Sequence, residues 1–391
     1  MSGRSAMTTL SGRERIRRLL AHQEPDRIGL WDAYWTDTLA RWRTEGLPPE
    51  STPERLLGFD FDVLFMDASL RLPERLLEDT PDYTIREDKH GFTGKQWKGH
   101  AGALGYLSHA VTGWDDWRRL RPRLEVGFGG TARIGPVSYF EPFTTYPTWE
   151  EMGRQFAALR SGGRFILLHV YGPFEATWRK HGFEQSLMSL VLEPALMADM
   201  FEAHTDLVIA TLEKARALGI VPDGLFLVED LGVNTGLMFS RKHYRALLHA
   251  AHRRLGDYLH RVGIAYFVHS DGDIRALIPD LIEAGVQVLQ PLEAKIGLDV
   301  RALKREYGAD LSFMGNIDAT RMDGDARAVE AEIRDKIGAA MQGGGYIYHS
   351  DHSVPPTVSW ERYQWIIECV LRYGTYGDSA AEKSAEEGPG A

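Results

Sequence analysis

Ile264-Ala265-Tyr266-Phe267-Val268-His269-Ser270-Asp271 and Gly345-Tyr346-Ile347-Tyr348-His349-Ser350-Asp351-His352 are two apolar runs that close on the same tripeptide, His-Ser-Asp. Each has the length and the β-branched or aromatic content of a buried strand. The repetition puts imidazoles and carboxylates at two strand exits, where a parallel α/β barrel keeps its chemistry. Working outward, six more runs of the same kind span 27–32, 62–67, 164–170, 224–229, 286–292 and 311–315. Helical patterns lie between them, such as 193–218, with Pro194 suited to a first helical position, and 298–307. Strand, helix, strand at that spacing requires parallel crossovers. Eight such units predict a TIM (β/α)8 barrel in preference to a doubly wound sheet, because no Gly-x-Gly-x-x-Gly turn follows the first strand.

One interval breaks the rhythm. Between the second and third strands, over about 70–160, Tyr83-Thr84-Ile85-Arg86 and Gly91-Phe92-Thr93-Gly94-Lys95-Gln96-Trp97 alternate around a Lys-His-Gly turn. That pattern predicts a hairpin inserted at the barrel mouth, with Trp97 either a lid residue or part of a surface excursion. The expected organisation is a single domain over 1–378 with this insertion, followed by a small, charged, disordered tail over 379–391.

Composition narrows the classes. The chain has 391 residues, 43% of them hydrophobic, and a net charge of −10, which speaks against a general nucleic-acid surface. No apolar stretch approaches the roughly 20 residues of a membrane span, and the first residues lack the apolar core of a signal peptide. The expected location is therefore the cytoplasm. The single cysteine, Cys369, lies in a helix-like apolar run; it excludes an internal disulfide and a multi-thiolate metal site. A homodimer stays open.

The strand exits supply the candidate chemistry. His269 and Asp271 share strand parity, and His352 comes from the eighth exit. Two imidazoles and a carboxylate form a three-ligand set with an open position, the pattern of catalytic zinc, and Glu293 is a fourth ligand or an orienting partner. Alternatively these residues form a polar ring that binds substrate without metal. Further exits carry Asp67, His169, Tyr171, Glu229, Asp230, Asn316 and Asp318. Of these, Asp230 and Asn316 are equally readable as turn residues that accept backbone N–H groups. Trp31, Tyr34 and Trp35 form either an aromatic pocket wall or helix core.

These residues carry a resemblance. Arg13-Glu14-Arg15-Ile16 through His22-Gln23-Glu24-Pro25-Asp26-Arg27-Ile28, Tyr171-Gly172-Pro173-Phe174-Glu175, His269-Ser270-Asp271-Gly272-Asp273, Gly315-Asn316-Ile317-Asp318 and His352-Ser353-Val354-Pro355-Pro356 resemble the uroporphyrinogen decarboxylase superfamily. The likeness runs from about residue 10 to 375 and rests on the order and spacing of the motifs. It implies a TIM barrel and one of two chemistries, porphyrinogen decarboxylation or zinc-dependent methyl transfer to or from a corrinoid protein.

For decarboxylation the resemblance implies counterparts in Asp67 and His352. The Arg-rich segment that holds porphyrinogen carboxylates reads Trp31-Asp32-Ala33-Tyr34-Trp35-Thr36-Asp37 here, without arginine, and Trp178 and Arg179 occupy the region of the family tyrosine. A substrate with eight carboxylates needs several preorganised cations. For methyl transfer the family's His-x-Cys pair and later Cys fall on His269, Asp271 and His352, so both thiolates are replaced. A harder ligand set leaves zinc a stronger Lewis acid, suited to an ether or amine leaving group.

The expectation is then a zinc-dependent methyltransferase that moves a methyl group from a methylated small molecule to a corrinoid carried by a partner protein. In it Asp67, Trp31, Tyr34, Tyr171, Asn316 and Asp318 contact substrate or position it, and His349 or Asp351 supplies a proton. A metal-free decarboxylase or lyase centred on Asp67 and His352, and a non-catalytic binding barrel, are the alternatives.

Overall fold

The computed structural model describes residues 9–99, 104–138 and 141–377. The proposed tail over 379–391 lies outside them. Contacts divide the chain into two units, one made of 1–61, 163–165 and 287–391, the other of 62–162 and 166–286.

In the first unit β1 (Gly29–Leu30) pairs parallel with β15 (Tyr346–Tyr348), which pairs parallel with β14 (Ser312–Met314), and that with β13 (Val288–Gln290). Strand β1 is shorter than its apolar run because the backbone of Arg27 forms an antiparallel bridge with Thr375 and the Ile28 N–H donates to the Gly374 carbonyl. Helices Val300–Tyr307, Ala326–Ala340 and Trp360–Tyr373 separate or follow the strands. Beneath them Asp60 accepts from both Arg15 and Arg27, a buried ion network at the root of the unit.

The second unit holds β2 (Phe61–Met66), β8 (Phe165–Tyr171), β9 (Gly224–Val228) and β12 (Ala265–His269), with β8, β9 and β12 in parallel register. Strand β8 is buried along its whole length, as a parallel strand covered on both faces must be. Its helices include Trp149–Ser161, begun by a Thr148–Glu151 capping box, and His249–Val262, ended by Gly263 in the left-handed region. All eight apolar runs are thus strands, in an α/β fold of parallel strands and crossover helices.

Between β2 and β8 the chain forms a four-stranded antiparallel sheet in the order β3 (Arg75–Asp79), β4 (Tyr83–Glu87), β5 (Phe92–Trp97), β6 (Leu104–His109). The predicted hairpin is its middle pair, Tyr83 opposite Trp97. Strand β3 escapes the sequence because every residue in it is exposed, so no alternation marks it. Two short pieces complete the unit: β7 (Ile134–Gly135), antiparallel to β2, and the hairpin of β10 (Gly232–Val233) and β11 (Gly236–Leu237). Among the described residues no helix is long and apolar enough to cross a membrane.

Candidate functional site

The exits of β9 and β12 are laced together in the second unit. The Glu229 N–H donates to the His269 carbonyl at 2.9 Å, the Leu231 N–H to Ser270 Oγ at 2.9 Å, and the Asp271 N–H to Asp230 Oδ1 at 3.0 Å. The two loops meet at glycines. A Cβ on Gly272, whose φ is +81°, would lie 2.2 Å from the Gly232 carbonyl carbon, so only glycine permits the approach. The result is a compact group in which His269 Nε2 lies 3.4 Å from Asp230 Oδ1 and 3.7 Å from Asp271 Oδ1.

One ligand atom from each of Asp230, His269 and Asp271 lies within 4.8 Å of the others, and all three are half-buried. Among the described residues this is the group of three such side chains close enough together that they could hold a metal ion. One imidazole and two carboxylates, with no sulfur, suit zinc or another borderline-to-hard divalent cation, and partial exposure leaves a side open. His269 and Asp271 come together as their parity requires. Asp230, which the sequence offered only as a polar strand-exit residue or a turn acceptor, joins the group and accepts from the loop after β12 rather than from its own turn. Glu293 and His352 belong to the first unit.

Behind the group, the buried Glu229 carboxylate accepts from the Phe174 and Glu175 N–H groups at 3.0 Å each and lies 3.0 Å from His252 Nε2. It thereby caps the helix Pro173–His181 with negative charge. A Cβ on Gly172 would sit 2.2 Å from Glu229 Oε2, which explains the Tyr-Gly-Pro-Phe-Glu motif physically. The next turn carries Glu175, which accepts from Trp178 Nε1 at 2.8 Å and from Arg179 at 2.6 Å. Burial pushes Glu175 up to about 7 against the pull of Arg179, and Asp230 adds to the rise. Arg179 also donates to the Tyr106 hydroxyl at 2.9 Å and lies 4.0 Å over the Tyr171 ring.

Asp67, after β2, is buried and accepts from Arg71 Nε at 2.6 Å, with Arg133 at 3.9 Å. Despite its burial the two guanidiniums hold its carboxyl below the usual range. His169 stacks on Phe226 with ring centroids 4.3 Å apart. Trp97 packs on Tyr83 and Lys95 within the inserted sheet.

The remaining candidates lie in the first unit. Asp32 accepts from the Tyr363 hydroxyl at 2.9 Å, the Tyr348 hydroxyl at 3.1 Å and Ser350. His349 lies 3.6 Å from Asp32 and 5.0 Å, ring to ring, from Trp31. Asp351 accepts from the Ala294 and Ala319 N–H groups, and burial raises its carboxyl against those two bonds. His352 stacks on Trp35, while Tyr34 donates to Glu54 and packs on Trp42. Glu293 pairs with Lys295 at 2.6 Å. Asn316, at φ +76°, spends its amide on Val300 N–H and the Leu292 and Leu298 carbonyls. Asp318 caps Thr320 and pairs with Arg321.

Sequence reasoning missed Glu175, Arg179 and His90 as members of the β8 end. Glu175 and Arg179, one helical turn apart after Gly-Pro, carried a usable signal; His90, in a turn, carried none.

The profile of the uroporphyrinogen decarboxylase (URO-D) family matches residues 170–373, more than half of the chain. No curated protein sequence matches it. Among solved structures, a methyltransferase from Methanosarcina mazei is similar, with a TM-score of 0.59 and 13% identity, over 93% of this chain and 98% of that one. A protein titled as a vitamin-B12-independent methionine synthase, from Listeria monocytogenes, aligns over 88% of this chain and 96% of its own at 11% identity. Its TM-score of 0.41 says nothing further.

Proposed function

The chain belongs to the uroporphyrinogen decarboxylase family, and on that premise we propose that it is a metal-dependent methyltransferase. It takes a methyl group from a methylated small molecule, an ether or an amine, to a corrinoid on a separate protein in the cytoplasm. The eight strands are taken as the staves of a closed TIM barrel. The observation that carries the proposal is the Asp230–His269–Asp271 group at the exits of β9 and β12.

Zinc held by these three residues would withdraw charge from the heteroatom that the methyl group leaves. The nitrogen and oxygen donors favour a hard leaving atom over a thiolate. Asp230 and Asp271 keep each other in place through the bond from the Asp271 N–H, and Glu229 anchors the helix that brings Glu175 and Arg179 to the same end of the unit. Asp67, neutralised by Arg71 and Arg133, orders the backbone around β2 and is not asked to act as an acid. The methyltransferase name of the similar Methanosarcina structure supports the choice of chemistry within the family.

The test is elemental mass spectrometry of purified wild type beside Asp230→Ala and His269→Ala, followed by methylcobalamin formation from aromatic methyl ethers and Co(I) cobalamin. Near-stoichiometric zinc that falls in both variants, with turnover that follows it, is expected. Full metal content in either variant overturns the ligand set. A wild type that refuses zinc moves the assignment to metal-free decarboxylation.

A further inference from the structure

The turn between β4 and β5 is buried rather than displayed. Asp88, Lys89, His90, Gly91 and Phe92 are all buried, and His90 is 3% exposed. Bonds inside the turn (His90 N–H to Asp88 Oδ1 at 2.8 Å, Gly91 N–H to the Asp88 carbonyl at 3.0 Å, Asp88 N–H to the Phe92 carbonyl at 2.8 Å) and from outside it (Leu72 N–H to the Lys89 carbonyl at 3.2 Å, Ala110 N–H to the Gly91 carbonyl at 2.7 Å) pin its backbone. The imidazole is thereby driven edge-on against the Tyr171 ring, 5.4 Å between centroids, at the end of β8. Among the described residues neither of its ring nitrogens has a hydrogen-bond partner. On the same Tyr171 ring rests the Arg179 guanidinium, whose Nε is likewise buried without a partner. A buried polar group left unpaired is costly, and native proteins rarely keep one without a ligand or water to meet it.

The buried cations of this unit are unevenly partnered. Arg71 and Arg133 share one carboxylate, Asp67, and Arg179 pairs with Glu175. Lys180, the next residue, is 1% exposed and its ammonium donates to the Ala176 carbonyl, with no carboxylate partner among the described residues. The cation that rests on the Tyr171 ring itself is Arg179, and an incoming anion would meet it there.

We propose that His90 and Arg179 form a carboxylate subsite, so that the substrate of this chain carries a carboxylate beside its methylated heteroatom. The carboxylate accepts from the His90 N–H and from Arg179 Nε, two donors that the fold leaves unused. Burial lowers the imidazole to about 4, so at neutral pH it is an uncharged donor and Arg179 supplies the charge. The inserted sheet thus becomes a specificity element, because it alone delivers His90. The subsite depends on the methyltransferase proposal only for the methyl-ether scaffold of the ligand.

The experiment is calorimetric titration of the full-length, metal-free protein with 4-methoxybenzoate and 4-methoxybenzyl alcohol, and with benzoate and benzyl alcohol. Wild type should prefer each acid over its alcohol by at least about tenfold. His90→Phe keeps the ring shape without its nitrogens and should abolish that preference, while His90→Gln, which retains an N–H, should recover part of it. Thermal unfolding of each variant reports the fold separately. Equal affinity for acid and alcohol, no binding by either acid, or a preference that survives in His90→Phe overturns the subsite. Acid preference with no gain from the methoxy group, in a protein that also refuses zinc, would sink the methyltransferase proposal while the subsite stands.

Discussion

Lys180 allows a stability prediction with a definite sign. Its amine is 1% exposed and hydrogen-bonded only to a carbonyl of its own helix, and burial, with Arg179 beside it, lowers it from 10.5 to about 7. In the unfolded chain the amine keeps an ordinary value near 10.4. Between pH 7 and about 10 the unfolded state therefore binds more protons than the folded state, so stability rises with pH across that window and is flat below it. One proton carries about 1.4 kcal/mol per pH unit. With the folded amine half-protonated at pH 7, the rise from pH 7 to 8.5 is about 1.5 kcal/mol. Lys180→Met keeps the stem and removes the charge. The assay is urea unfolding of wild type and Lys180→Met at pH 7.0 and 8.5. The variant should be more stable at pH 7.0, and the gap should close by about 1.5 kcal/mol at pH 8.5. Parallel pH profiles, or a variant less stable at pH 7.0, would refute the buried, partnerless amine.

Three further outcomes are expected. Gly172→Ala forces a methyl group onto Glu229 Oε2, so thermal unfolding should show a loss of several kcal/mol and metal content should fall with it. Asp67→Asn strands Arg133 and Arg71 and should cost about 3–5 kcal/mol in denaturant melts; because the two arginines hold Asp67 low, its contribution should be full at neutral pH, begin to fall as the pH drops past the unfolded-chain value of about 3.9, and be gone below the folded value. Asn316→Ala frees one N–H and two carbonyls at once, and faster hydrogen exchange at Val300 should report the loss.

The eight parallel-type strands and the central hairpin of the four-stranded sheet were legible in the sequence, because burial on both faces imposes unbroken apolar runs and a two-stranded turn imposes alternation. His269 and Asp271 were legible for the same reason, since strand parity is local. Asp230 became a partner of theirs only through the contact of Gly232 with Gly272, 40 residues apart in the chain, which no periodicity encodes. Asn316, which reads as a binding residue at a strand exit, is consumed by three backbone groups of a neighbouring loop. His90 sits in what reads as a surface turn. The tertiary structure buries that turn against Tyr171, because Leu72 and Ala110 add backbone bonds from outside to those that the hairpin makes within itself. Local patterning thus determined which segments are strands and which polar residues stand at their ends; which of those residues meet was decided by long-range packing, where a missing Cβ or a borrowed backbone partner sets the distance.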